Sequence, residues 1–304
     1  MPDANETAAG PHERLRPSDD PTLPPAGTRL PGRALGIDVG GTSVKAAVVD
    51  LETGELVLPP GADDPAERPT PRPATPEAVI EVVHGVVGGL VSAGLVVPGM
   101  PAGCGLPVVI KEGRPMTAAN IDRGWIGFPA QAALAERLGR PVLALNDADA
   151  AGLAEMTYGV GAGRGGTVML LTIGTGIGSA LFIDGVLVPN TELGHIELRG
   201  EDAETLVSGA ARERRGLDWE AWAVDFNAYL ALIERYFWPD LIVLGGGVSR
   251  ALDQFSHLLR SRATIVPARL RQNAGIAGAA LAGANVAALS APAAGVSSPQ
   301  PVAG

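Results

Sequence analysis

Three glycine-rich turns, each at the end of an apolar run, constrain this chain more than any other feature: Asp38-Val39-Gly40-Gly41-Thr42, Gly174-Thr175-Gly176-Ile177-Gly178 and Gly245-Gly246-Gly247-Val248-Ser249. Glycine lets backbone N–H groups approach an anion with no Cβ in the way, and a turn that feeds a helix adds the positive end of its dipole. One such turn is ordinary punctuation between a strand and a helix. Three, interleaved with Asp and Thr, predict an apparatus that holds phosphate.

The runs around the turns read as an α/β protein. Ala34 to Val39 and Val44 to Val49 predict a hairpin across the first turn, with Glu55 to Leu58 as a third strand. A proline-rich connector, Pro59 to Pro76, leads to a helix from Glu77 to about Val91, where Val79, Val82, Val83, Val86, Val87 and Leu90 recur at helical spacing. A helix over Ala130 to Leu138 stops at Gly139, and a short strand, Pro141 to Leu145, delivers Asn146 and Asp147 to the start of another helix. The second half repeats the theme. Thr167 to Ile173 and Ser179 to Ile183 flank the second turn, Asp184-Gly185 signals a hairpin into Val186 to Val188, and a helix spans Trp219 to Phe237. The strand Leu241 to Leu244 precedes the third turn, followed by a helix through about Leu259, a strand near Ile265 and a last helix from Ala274 to about Leu289. Two halves of related design are expected, 33–145 and 146–289, with mixed sheets and a ligand cleft between them; the last helix packs back on the first half. Residues 1–32 and 290–304 lack apolar periodicity and are assigned as disordered tails.

Composition narrows the function. A formal net charge of −10 argues against a nucleic-acid partner. No stretch reaches a membrane span's length and the N-terminus lacks a signal-peptide core, so a cytoplasmic protein without a membrane partner is expected. The single cysteine, Cys104, excludes an internal disulfide and any zinc site built on several thiolates.

The run Leu35 to Thr42, the segment Asn146-Asp147-Ala148-Asp149-Ala150, the second and third glycine turns, and Glu192-Leu193-Gly194-His195 occur in the order seen in ROK-family sugar kinases. With Thr117 to Asp122 and the long stretch Asp184 to His195, the chain most resembles the family's actinobacterial polyphosphate glucokinases over about residues 34 to 285. The resemblance implies the actin-like, hexokinase-type ATPase fold, two α/β domains around a central cleft. It implies an Mg²⁺-dependent kinase, a homodimer, that phosphorylates glucose at its 6-hydroxyl from polyphosphate, ATP or both. An ATP-dependent glucokinase or mannokinase is the alternative, and a non-catalytic sugar sensor is a third reading.

On that resemblance Asp147 is the general base, kept ionised by the dipole of the helix it starts. Asn120, Asn146, Asp147, Glu192 and His195 are the sugar ligands. Asp38 orients Mg²⁺ through water; Gly40, Gly41 and Thr42 hold the terminal phosphate, Gly174, Thr175 and Gly176 do so from the other side, and Gly245, Gly246 and Gly247 contact the rest of the donor. Many family members carry a cysteine-rich zinc motif after the Gly-His step, but Ile196 to Leu217 has no cysteine, so no structural zinc is expected and Glu197, Glu201 and Glu204 stay unassigned. Val108 stands where related kinases show glycine after proline, which bears on the shape of the sugar-side loop. A polyphosphate donor needs a local cationic track. The candidates are Arg164, the group Arg212, Arg214 and Arg215, and the pair Arg269 and Arg271.

Overall fold

The computed structural model describes residues 27–119 and 121–290. The first half opens with β1 (Arg33–Val39), β2 (Ser43–Asp50), β3 (Leu56–Val57) and β4 (Ala66–Pro69), then α1 (Pro76–Ser92) and β5 (Ala102–Leu106). A small hairpin, β6 (Ile110–Lys111) and β7 (Arg114–Pro115), precedes α2 (Ala130–Leu138), β8 (Val142–Asn146) and α3 (Asp147–Tyr158). The second half runs through β9 (Thr167–Ile173), β10 (Ile177–Ile183), β11 (Val186–Val188), the short pair β12 (Glu197–Leu198) and β13 (Glu201–Asp202), α4 (Ala203–Val207), α5 (Gly209–Arg214) and α6 (Trp219–Phe237). It ends with β14 (Leu241–Gly245), α7 (Leu252–Phe255), β15 (Thr264–Pro267) and α8 (Ala274–Ser290).

The two principal sheets share one plan. Their orders are β3-β2-β1-β5-β8 and β11-β10-β9-β14-β15. Each begins with antiparallel neighbours joined by short turns and ends with two parallel additions, as crossover helices require. The two sheets thus correspond in both strand order and strand direction.

Local chemistry explains the element ends. Thr75 caps α1 by accepting from Ala78 N at 3.3 Å, with Pro76 in the first helical position. Gly139 ends α2 in the left-handed region, at φ 62°. The Asp184-Gly185 turn has positive φ at both residues, 49° and 79°, the geometry that matches the strand twist of a tight hairpin.

Helix α8 carries no charge and is buried nearly all round, so it behaves as core, not surface. Its alanines and glycines allow backbone contact with its neighbours: a Cβ on Gly36 of β1 would collide with the carbonyl of Ile276, and one on Gly278 with Ala150 of α3. The helix packs on β1 and β5 and along α3, and so joins the first sheet to the start of the second half.

Three details differ from the sequence reading. Residues 27–32, grouped with the tail by composition, lie on the fold: Gly27 N donates to Thr157 Oγ1, Leu51 N donates to Gly32 O, and Leu30 packs on the core. Ser290, grouped with the other tail, closes α8, and residues 1–26 and 291–304 lie outside the described residues. The proline-rich connector contains β4, which pairs with β2 from Ser43↔Pro69 to Ala46↔Ala66. The continuous helix expected after the third glycine turn is broken into single turns around α7, because Ala251 (φ −107°) and Phe255 (φ −132°) leave helical geometry.

Candidate active site

Strand register builds the floor of the cleft. Asp38 pairs with Gly105 across β1 and β5, and Gly105 with Leu145 across β5 and β8, so the carboxyl ends of three parallel strands bring Asp38, Gly105 and the Asn146-Asp147 step side by side. A Cβ built on Gly105 would stand 3.7 Å from Asp38 Oδ1 and 3.7 Å from Asp147 Cβ. Two carboxylates thus flank a residue without a side chain. Asp38 also abuts the first turn of α8, where a Cβ on Gly275 would lie 2.8 Å from its Cγ.

The facing wall comes from the second half. A cleft of about 660 Å³ is lined by Gly41 and Thr42 on one side and by Gly174, Thr175, Gly176 and Gly246 on the other, with Asn146 and Asp147 between them. Gly246 has φ 74°, and a Cβ there would press on the Ile173 backbone, so only glycine fits. Not every glycine amide is available to a ligand. Gly40 N donates to Ser43 O at 2.9 Å and Gly174 N to Gly176 O at 3.0 Å. Gly245 lies within β14, paired with Thr172.

The other end of the cleft is a polar framework. Asn146 caps α3, its Oδ1 accepting from Ala148 N and Asp149 N at 2.9 and 3.0 Å, while its Nδ2 donates to Val108 O at 3.2 Å. The N-cap is therefore Asn146, and Asp147 is the first helical residue. Asn190, held at φ 61°, spans to the first half: its Oδ1 accepts from Ile110 N at 2.8 Å and its Nδ2 donates to Ile110 O at 3.0 Å. Its backbone N–H donates to Asp149 Oδ2 at 2.7 Å. These bonds fix the loop after β5 to the start of α3, so buried Val108 takes its shape from Asn146 and not from loop freedom.

Beyond Asn190, Ser179 Oγ donates to Thr191 O at 2.7 Å, and the following turn carries Glu192 and His195 into the cleft. His195 Nδ1 lies 2.9 Å from Asp202 Oδ2, and Nε2 lies 3.7 Å from Glu192 Oε2. Of the three unassigned acids only Glu204 lines the cleft, its Oε2 accepting from Ile177 N at 3.2 Å. Glu197 and Glu201 are exposed. Asp202 was missed and Glu204 left unassigned because their relation to His195 depends on how β13 and α4 fold back. Asn120 falls outside the described residues.

Electrostatics set the carboxyls apart. Burial pushes Asp147 up to about 8, reinforced by the charge of Asp38 and opposed by the Ala148 N–H. This corrects the expectation that the α3 dipole keeps Asp147 ionised: desolvation at the cleft floor outweighs it. Burial raises Asp38 to about 6 against the pull of Lys45, and Asp149 to about 7 against its Asn190 hydrogen bond. Glu192 is raised by burial as well. For His195 burial acts downward, but the Asp202 bond and the charges of Glu204, Glu192 and Asp202 together leave it raised.

The arginine track at residues 212–215 does not form. Arg215 donates to Leu206 O and Asp225 Oδ2, both at 2.9 Å, Arg214 donates to Thr205 O at 2.9 Å, and Arg212 stacks 3.7 Å above the Trp219 ring. These side chains hold α4, α5 and α6 together. Arg164, Arg269 and Arg271 do not line the cleft.

Two repeated α/β halves, facing phosphate-type turns across a cleft floored by carboxylates, define the class, the actin-like ATPase fold. Within it the chain belongs to the ROK family, whose model matches residues 34–208. It is 44% identical over 249 residues to a polyphosphate glucokinase of Mycobacterium tuberculosis, an alignment covering 82% of this chain and 90% of the relative. The Mycobacterium leprae polyphosphate glucokinase is 41% identical over 267 residues, 88% of this chain and 79% of the relative. Among solved structures, the inorganic polyphosphate/ATP-glucomannokinase from Arthrobacter sp. strain KM matches with a TM-score of 0.79 and 48% identity, over 83% of this chain and 98% of that one. A ROK glucokinase from Streptomyces griseus, in complex with glucose and AMPPNP, matches with a TM-score of 0.68 and 26% identity, over 82% and 98%.

Proposed function

We propose that this chain transfers a phosphoryl group from inorganic polyphosphate, with ATP as a second donor, to the 6-hydroxyl of glucose. The observation that carries the reading is the pair Asp38 and Asp147 on either side of Gly105, with Asp147 in the lining of the cleft that Gly41, Thr42 and Gly174 to Gly176 share. The polyphosphate glucokinases at 41% and 44% identity supply the substrate class. That the Arthrobacter neighbour is a glucomannokinase favours mannose as a second acceptor.

Phosphoryl transfer is accelerated mainly by positioning and charge neutralisation, and the residues divide accordingly. Asp147 Oδ1 accepts from Ala148 N at 2.8 Å, which leaves Oδ2 to take the proton of the attacking hydroxyl. Glu192, His195 and Glu204 face the same space and pair with the other sugar hydroxyls, with Asn120 as a further ligand. Asn146 caps α3 through Oδ1 and holds Val108 O through one Nδ2 hydrogen, which leaves the second Nδ2 hydrogen to donate to a sugar hydroxyl in the cleft it lines. Among the described residues no three His, Cys, Asp or Glu side chains converge as a metal cluster. The hard carboxylate oxygens of Asp38 at the phosphate turn suit Mg²⁺ held largely by waters and donor phosphates, where it neutralises phosphate charge. Thr42, Gly41, Thr175 and Gly176 position that phosphate.

Replacing the base separates chemistry from binding. Asp147→Asn lowers kcat by ~100-fold or more, because the amide cannot accept the proton, while calorimetric glucose affinity stays within a modest factor. Turnover near the original rate contradicts the assignment.

A further inference from the structure

The first phosphate turn is strapped from outside by the segment after β4. Thr70 Oγ1 donates to Gly40 O at 2.7 Å, and Thr70 N donates to Thr42 O at 3.0 Å. Four residues on, Ala74 O accepts from the indole Nε1 of fully buried Trp125 at 2.9 Å. The strap is thus tied at one end to the phosphate turn and at the other to the 3-10 turn that follows the sugar-side loop.

Between these ties Pro71, Arg72 and Pro73 line the cleft beside Gly41 and Thr42. Pyrrolidine rings on both sides of Arg72 restrict the backbone that presents it, so little freedom is lost when its side chain engages a ligand. The side chain is exposed and pairs with no carboxylate among the described residues. Arg137, Arg199 and Arg215, by contrast, are each committed to an acid.

Charge makes the position informative. The cleft carries the carboxyl groups of Asp122, Asp147, Glu192 and Glu204, and among its described lining residues Arg72 is the one arginine or lysine. A polyanion entering so acidic a cleft needs compensating charge near the phosphate turn. A guanidinium supplies it with forked geometry that fits paired phosphate oxygens.

We propose that Arg72 is the donor-side anchor, binding non-bridging oxygens of the phosphate chain behind the phosphoryl group being transferred. The proposal rests on the phosphotransferase reading above and moves the cationic contact from the arginines of α5 to the strap after β4. The ligand chemistry is a phosphoanhydride chain, shared by polyphosphate and the triphosphate of ATP.

The test is steady-state kinetics of Arg72→Gln and Arg72→Lys with long-chain polyphosphate, with ATP and with varied glucose, at several salt concentrations. Arg72→Gln raises KM for polyphosphate ~10-fold or more and weakens its salt dependence, with glucose KM within ~2-fold. Arg72→Lys falls between, keeping charge but losing the fork. An equal rise for ATP supports the anchor at phosphates common to both donors; a rise for polyphosphate alone supports it farther along the chain. Unchanged polyphosphate KM and salt dependence overturn the proposal, as does a rise confined to glucose KM. Arg72 is exposed, so an unchanged melting temperature certifies the fold of the variant. If the unaltered protein phosphorylates no sugar from any donor, the functional reading fails by itself. Polyphosphate binding by calorimetry then decides the anchor separately: weaker binding by Arg72→Gln supports it and equal binding overturns it.

Discussion

Asp147 occupies its position at a cost to the fold. Its folded-state pKa, about 8, lies above the 3.8 of a free aspartate, with burial the largest cause and Asp38 the next. A carboxyl raised in this way binds its proton more tightly folded than unfolded, so the contribution of Asp147 to stability is greatest at low pH, falls as pH rises from about 4 to about 8, and is level above. Asp147→Asn therefore flattens that part of the pH profile and raises the melting temperature at about pH 8 by ~1–2 °C, the shift that ~1 kcal/mol gives a chain of this size. Scanning calorimetry of both proteins across the pH range checks it, and an equally steep decline in the variant contradicts it. The place of Asp147 at the end of β8, in the cleft, was legible from sequence because its motif is local. Its protonation was not, because the burial and the Asp38 charge that set it come from β1 and β5.

At the scale of elements, the links between the β5 loop, α3 and the turn after β11 shape the sugar end of the cleft. Asn190 couples a left-handed backbone to a two-bond clasp on Ile110, and two substitutions separate these roles. Asn190→Gly keeps the backbone relaxed but removes the clasp, and raises glucose KM ~10-fold with polyphosphate KM unchanged. Asn190→Ala adds strain at positive φ and further lowers unfolding stability by ~1 kcal/mol. Kinetics with denaturant unfolding distinguishes them; wild-type glucose KM in Asn190→Gly contradicts the role of the clasp. Strands beside the glycine turns were legible because apolar runs end at those turns. β4 was not, since Ala-Glu-Arg-Pro has no apolar alternation and its strand character comes from pairing with β2. The arginines of α5 looked like a donor track because nothing nearby in sequence shows that Asp225, on α6, takes Arg215.

At the scale of the molecule, the repeated sheet plan turns two strand-end surfaces toward one another, and α8 braces the arrangement through small-residue contacts with β1, β5 and α3. No helix among the described residues is long and apolar enough to cross a membrane. The net charge of −10 sharpens the donor problem, because a polyanion must be admitted by an acidic protein through local features of its cleft. Transfer from polyphosphate to a defined sugar oxygen is the claim on which the account depends. ³¹P and ¹³C NMR of purified protein incubated with Mg²⁺, long-chain polyphosphate and ¹³C-labelled glucose, with no nucleotide present, tests it directly. The account predicts a phosphomonoester signal coupled to carbon 6 that grows as polyphosphate is consumed and is lost with Asp147→Asn; a nucleotide-free reaction that leaves glucose unmodified, or places phosphate on another carbon, contradicts it.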